Sequence, residues 1–180
     1  FANDYTGSTT INVGTVKVGA DSALGTDAGG VSVTATDGAL DLNGTTYTPA
    51  SALSIIGTGV GTTGALTNSS GSGASYTGVV TVGGGGASIG GSGDITLSAG
   101  LGTTANALTK AGNGTLTLSA ASSRTGTADI SNGILKVGAN GALGTNAAAL
   151  TVSSGGSLDL NGINYATAST LALNGTGEGS

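Results

Sequence analysis

Lys17-Val18-Gly19-Ala20-Asp21-Ser22-Ala23-Leu24-Gly25-Thr26 returns as Lys136-Val137-Gly138-Ala139-Asn140-Gly141-Ala142-Leu143-Gly144-Thr145, 119 residues further on. Working outward, Leu40-Asp41-Leu42-Asn43-Gly44 recurs as Leu158-Asp159-Leu160-Asn161-Gly162 at a spacing of 118, so one residue is gained or lost in the loop between. Tyr47 then pairs with Tyr165, Ser51 with Ser169, Leu53 with Leu171, and Gly57-Thr58-Gly59 with Gly175-Thr176-Gly177. Self-similarity at a fixed period marks a repeat architecture rather than one globular core. The 180 residues therefore read as a single segment on a long repeat of about 118 residues, with a full copy over 1–118 and a partial one over 119–180.

Within each copy the apolar residues fall in short alternating pieces. They are Thr10–Val13, Val16–Val18, Val31–Val33, Leu40–Leu42, Leu53–Ile55, Val80–Val82, Ile95–Leu97, Leu116–Leu118, Leu135–Val137 and Leu158–Leu160. Period two over a few residues is the strand signal, one face buried and the other wet. Six Asn-Gly dipeptides, at Asn43, Asn113, Asn132, Asn140, Asn161 and Asn174, sit between such pieces and favour tight turns with positive φ. Ala147-Ala148-Ala149 is the one helical candidate and is too short.

Composition chooses among the all-β architectures. The chain has 37 Gly, 29 Thr and 21 Ser, but only four Tyr, one Phe and no Trp. A sandwich needs large side chains to fill a gap of about 10 Å between its sheets. A parallel β-helix stacks short strands about 4.8 Å apart around a narrow core of small aliphatic residues and Thr. Backbone groups then pair from coil to coil, which lets a chain with few large side chains fold. The expected fold is all-β, a parallel β-helix of about eight coils of roughly 20–24 residues each.

Three stretches carry a family resemblance: Ala2-Asn3-Asp4-Tyr5-Thr6-Gly7-Ser8-Thr9-Thr10-Ile11, Leu108-Thr109-Lys110-Ala111-Gly112-Asn113-Gly114-Thr115-Leu116-Thr117-Leu118-Ser119, and Asn132-Gly133-Ile134-Leu135-Lys136-Val137-Gly138. They resemble the strand-loop-strand repeats of bacterial autotransporter passenger domains, of the type found in large surface adhesins. Gly64-Ala65-Leu66-Thr67-Asn68-Ser69-Ser70 is similar to the sequence linking such repeats. The resemblance implies a right-handed parallel β-helix exported to the cell surface of a Gram-negative bacterium. Ser123-Arg124-Thr125-Gly126 departs from the pattern where the first copy has Asp4-Tyr5-Thr6-Gly7.

The same composition excludes much chemistry. Cys and His are absent, which removes disulfides, thiol chemistry, the usual zinc ligands, the usual general base and any Ser-His-Asp triad. Charged residues are 7% of the chain and the basic ones are Lys17, Lys110, Arg124 and Lys136 alone. That is no electrostatic footprint for nucleic acid. No stretch approaches the length of a membrane span. The opening Phe1-Ala2-Asn3-Asp4-Tyr5 lacks a signal peptide's basic flank and apolar run, so the chain reads as a mature protein or a piece of a longer one.

A polysaccharide-cleaving site would gather two or three carboxylates. The acids here are Asp4, Asp21, Asp27, Asp37, Asp41, Asp94, Asp129, Asp159 and Glu178, scattered along the chain. Asp41 and Asp159, flanked by Leu, read as solvent-facing members of alternating strands. Gly90-Gly91-Ser92-Gly93-Asp94-Ile95 misses the spacing of a calcium-binding nonapeptide and occurs once. Gly83-Gly84-Gly85-Gly86 lacks the Lys and helix of a phosphate loop, and reads as a corner or loop. Lys17 and Lys136, like Tyr47 and Tyr165, read as surface duplicated along with core. Thr115-Leu116-Thr117 does not recur in register, which argues against a flat Thr-x-Thr face. Sequons begin at Asn43, Asn68, Asn113 and Asn174.

No catalytic, metal or cofactor-binding residue is assigned. The expectation is a non-enzymatic structural segment, a rod, stalk or filament outside the cell, with an adhesin that binds glycan or protein as the alternative. Neither end reads as a cap, so the expected partner is a further repeat in a longer chain or a second copy stacked end to end.

Overall fold

The computed structural model describes residues 2–26, 29–144, 149–165 and 170–174. Asp27, Thr145, Ala147, Ala148, Ser169 and Gly175–Ser180 lie outside them.

Seventeen short strands follow one another. They are β1 (Thr9–Ile11), β2 (Gly14–Lys17), β3 (Val31–Val33), β4 (Gly38–Asp41), β5 (Thr46–Tyr47), β6 (Leu53–Gly57), β7 (Leu66–Asn68), β8 (Ala74–Tyr76) and β9 (Val80–Gly91). The second half holds β10 (Ile95–Leu97), β11 (Leu108–Lys110), β12 (Thr115–Leu118), β13 (Ala128–Ile130), β14 (Gly133–Val137), β15 (Leu150–Val152), β16 (Gly156–Asp159) and β17 (Leu171–Leu173). A single 3-10 turn, Val60–Thr62, is the only helical element among the described residues.

Every strand pairing is parallel, and the pairs chain into three ladders. The first runs Thr9–Val31–Leu53–Val80–Leu101. The second runs Val16–Leu40–Leu66–Ile89–Lys110–Ile130–Val152–Leu173, eight rungs enclosing seven turns. The third runs Tyr47–Tyr76–Leu97–Leu118–Val137. The fold is thus an all-β parallel solenoid, with seven turns instead of the eight coils expected. The turns from Val16 to Leu173 average about 22 residues, the coil length expected, and the chain outside Val16–Leu173 makes up the difference in number.

The alternation in sequence is the alternation in burial. β3, β8, β10, β11, β13 and β15 each place first and third residues inward and the middle one at the surface. The inward residues stack as one thin aliphatic column from Ile11 to Val152. Two large rings interrupt it: Tyr47 and Tyr76, both fully buried, stack with centroids 5.3 Å apart and planes 4° from parallel.

The long repeat does not contain a whole number of coils. Ile11 lies in the first ladder's β1, whereas its repeat partner Ile130 lies in the second ladder. Likewise Val16 and Leu40 are rungs of the second ladder, but their partners Leu135 and Leu158 pair in the third. The second copy is therefore rotated by one face about the rod axis. β9 joins two of these faces in one strand: its first residues continue β6 and its last continue β7 and β11. Gly83–Gly86, expected as a corner or loop, lies inside this twelve-residue strand. Without side chains, those residues let one strand bend from one face to the next.

Candidate functional site

The carboxylates are placed first, because a hydrolytic or metal site would need them together. Asp41 accepts the Asn43 amide at 2.9 Å, the Ser69 amide at 3.0 Å and the Ser69 hydroxyl at 2.6 Å, with Lys17 Nζ at 3.8 Å. Asp21 receives the Thr48 amide at 2.8 Å and its hydroxyl at 2.5 Å, which hold its carboxyl below the ordinary value. Asp94 receives the Thr115 amide at 2.8 Å, and Asp129 the Ser153 hydroxyl at 2.7 Å. In each case one donor, Ser69, Thr48, Thr115 or Ser153, sits on the next coil, so the acid ties one turn to another. Among the described residues no three acids cluster as a metal would require.

Asp41 corrects the sequence reading. Its side chain is 5% exposed, not solvent-facing, whereas that of Asp159 is 44% exposed as expected. The strand is the same; the coil carrying Ser69 is what covers Asp41. Asn68, within the stretch read as a link, is a fully buried strand residue. Its amide donates to the carbonyls of Ser72 and Asp94 at 2.8 Å each, and its oxygen accepts from Gly44 and Ser70. The sequon at Asn68 is therefore closed in the folded chain.

Two basic residues have roles that composition hid. Lys110 occupies a rung between Ile89 and Ile130, 2% exposed. Its ammonium donates to the carbonyls of Ala111, Gly112 and Asn132 at 2.8, 2.8 and 3.0 Å. Burial lowers its pKa to about 8. Arg124, where the repeat pattern departs, is buried and donates to the carbonyls of Leu143 and Thr127. Its counterpart Tyr5 is 40% exposed. A lysine at the third position of Leu108-Thr109-Lys110 was legible only by noticing that this position points inward.

Thr115-x-Thr117 opposes Asp94 and Thr96 on one side and Ile134 and Lys136 on the other, so that unit does not recur in register, as expected; a different pair of hydroxyl positions does. Thr46, Ser75, Thr96 and Thr117 are successive register partners on the third ladder. Thr48, Thr77, Ser98 and Ser119 follow two residues later in each coil. A hydroxyl pair therefore does recur in register over four coils. Serine standing in for threonine, and spacings that change from one coil to the next, conceal it in the sequence.

A groove of about 590 Å³ runs along the second ladder. Thr15, Asp41, Thr67, Gly91 and Asn113 line it from successive coils, and the Val60–Thr63 turn overhangs it. Gly91 keeps its floor low: at φ 110°, a Cβ there would lie 2.4 Å from the Asn68 carbonyl oxygen and 2.7 Å from the Thr67 hydroxyl. Thr67 is 5% exposed, and its hydroxyl makes no protein hydrogen bond.

Residues 2–18 and 108–137 match a family model described as the passenger-associated-transport-repeat. The chain carries autotransporter passenger repeats. No curated protein and no solved structure matches it. The matched passenger segments include β1 and β2 of the first copy and β13 and β14 of the second, so equivalent repeat sequence occupies different faces of the rod. Lys110 and Arg124 both lie inside the second match. Membership in this passenger family implies a protein outside the cell or on its surface.

Proposed function

We propose that this passenger segment is a non-enzymatic structural rod on the surface of a Gram-negative bacterium, holding other parts of the protein away from the cell. One observation carries the reading. The second ladder is continuous for eight rungs, and four buried polar side chains along the rod, Asp41, Asn68, Lys110 and Arg124, bond across coils, as does the exposed Asp94. Such a rod transmits tension along stacked strands through parallel pairing and side-chain ties at once. Replacing residues 1–180 within the full-length protein by an unrelated solenoid of equal length tests this. Preserved surface function supports a spacer; polysaccharide turnover that disappears on changing one Asp overturns it.

The favoured partner is another coil. Leu171 and Leu173 of β17 are 47% and 68% exposed, and among the described residues no strand pairs beyond β17. A further coil, from the same polypeptide or a second copy, extends the ladder there. Light scattering against concentration, with Leu173→Asp as the comparison, reads stacking of copies. A second reading, a segment that binds glycan, is favoured by the groove over Thr67.

A further inference from the structure

We infer that the groove beneath the Val60–Thr63 turn binds a neutral glycan chain lying along the rod axis; this rests on the binding reading above and gives it a place and a ligand class. The groove spans the coils from Thr15 to Asn113. Four rung steps at about 4.8 Å make it about 19 Å long, the shape of an extended chain rather than a compact ligand. Its volume, about 590 Å³, falls within the range of small-ligand sites, about 300–1,000 Å³.

The lining sets the chemistry. Thr15, Thr67, Ser69 and Asn113 offer neutral hydroxyls and a carboxamide, and Val60, 40% exposed, offers an apolar edge for the C–H face of a sugar ring. The one carboxylate, Asp41, is already neutralised by Lys17 at 3.8 Å and held by Ser69. An anionic ligand therefore finds no free cation in the lining. A peptide finds no sheet edge, because the floor strands β4 and β7 are paired on both sides and β-augmentation needs open backbone groups. Thr67 lines the groove and is 5% exposed, with its hydroxyl free of protein hydrogen bonds and open to the solvent of the groove. A ligand hydroxyl there exchanges a bond to water for one to Thr67.

The test titrates the ¹⁵N-labelled 180-residue chain with cellohexaose, maltohexaose, chitohexaose, a heparin-derived hexasaccharide and a neutral hexapeptide. At least one neutral hexasaccharide is expected to move the amides of Thr15, Thr67 and Asn113 together and saturably. Thr67→Val, which keeps the shape and removes the hydroxyl, then weakens binding about three- to tenfold, as loss of one hydrogen bond does. Asn113→Ala, on an exposed residue, weakens it similarly and stands in if Thr67→Val unfolds. The inference is overturned if none of the neutral oligosaccharides moves these amides at millimolar concentration, if the heparin fragment or peptide binds there instead, or if both variants bind like the parent. Shifts confined to another face overturn the groove while leaving a glycan-binding segment standing.

Discussion

Lys17–Asp41 and Lys136–Asp159 come from the same stretch of repeat, form the same rung, and hold the same 3.8 Å ion-pair distance. Their surroundings differ: the Asp41 side chain is 5% exposed and that of Asp159 44%. In the first copy the following coil adds Ser69 over the carboxylate; among the described residues no such group bonds the side chain of Asp159 from a following coil. Tyr47 and Tyr165 show the same contrast. Tyr47 is fully buried against Tyr76, whereas Tyr165 is half-buried and bonds the backbone at Leu143 and Gly144. In a solenoid, then, a residue's environment belongs to the coil above as much as to its own strand.

Aromatic truncation separates the two copies most. Tyr47→Ala is expected to cost about 3–5 kcal/mol in urea unfolding, because it opens a cavity beside a stacked ring, and Tyr165→Ala clearly less. Equal losses would break the comparison. Next, Asp41→Ala strands the Ser69 and Asn43 donors and is expected to cost about 2–4 kcal/mol, against under about 1 kcal/mol for the exposed pair through Asp159→Ala.

Lys110 sharpens the comparison at the boundary between the copies. Lys110→Met leaves three carbonyls without their donor and is expected to cost about 1–3 kcal/mol near neutral pH. Its pKa, about 8 in the folded chain against 10.5 ordinarily, means the unfolded chain holds more protons above pH 8. Stability of the parent relative to Lys110→Met therefore rises as pH climbs above about 8 and is flat below it. Thermal melts of both proteins across that range check the sign. The smallest effect is at Asp21, which the second copy replaces by Asn140. Asp21→Asn is expected to cost under about 1 kcal/mol. Because hydrogen bonds from Thr48 lower its carboxyl pKa below 3.8, that increment is present above this value and vanishes as pH falls through the lowered one.

The strands themselves were legible, since Val31-Ser32-Val33 or Ile95-Thr96-Leu97 can bury only one face, and the observed burial follows that alternation. What lay over each strand was not. The cover on Asp41 and Asn68, the roof over Thr67 and the register of the hydroxyl columns all depend on loop lengths between coils. A period of 118 residues blurs those lengths instead of revealing them. Lys110 escaped for another reason: composition treats a lysine as surface charge, and only its place on an aliphatic ladder, beside free carbonyls at a glycine-rich corner, makes it an interior residue.

The rotation of the second copy bears on avidity. Equivalent repeat sequence 119 residues apart is presented on neighbouring faces, so a rigid receptor with two sites in one plane cannot engage both copies and gains no multivalent enhancement from the duplication. A tandem array of such repeats winds its determinants around the shaft like the treads of a spiral stair. It meets a flat surface with one tread at a time, and meets many small receptors from every direction.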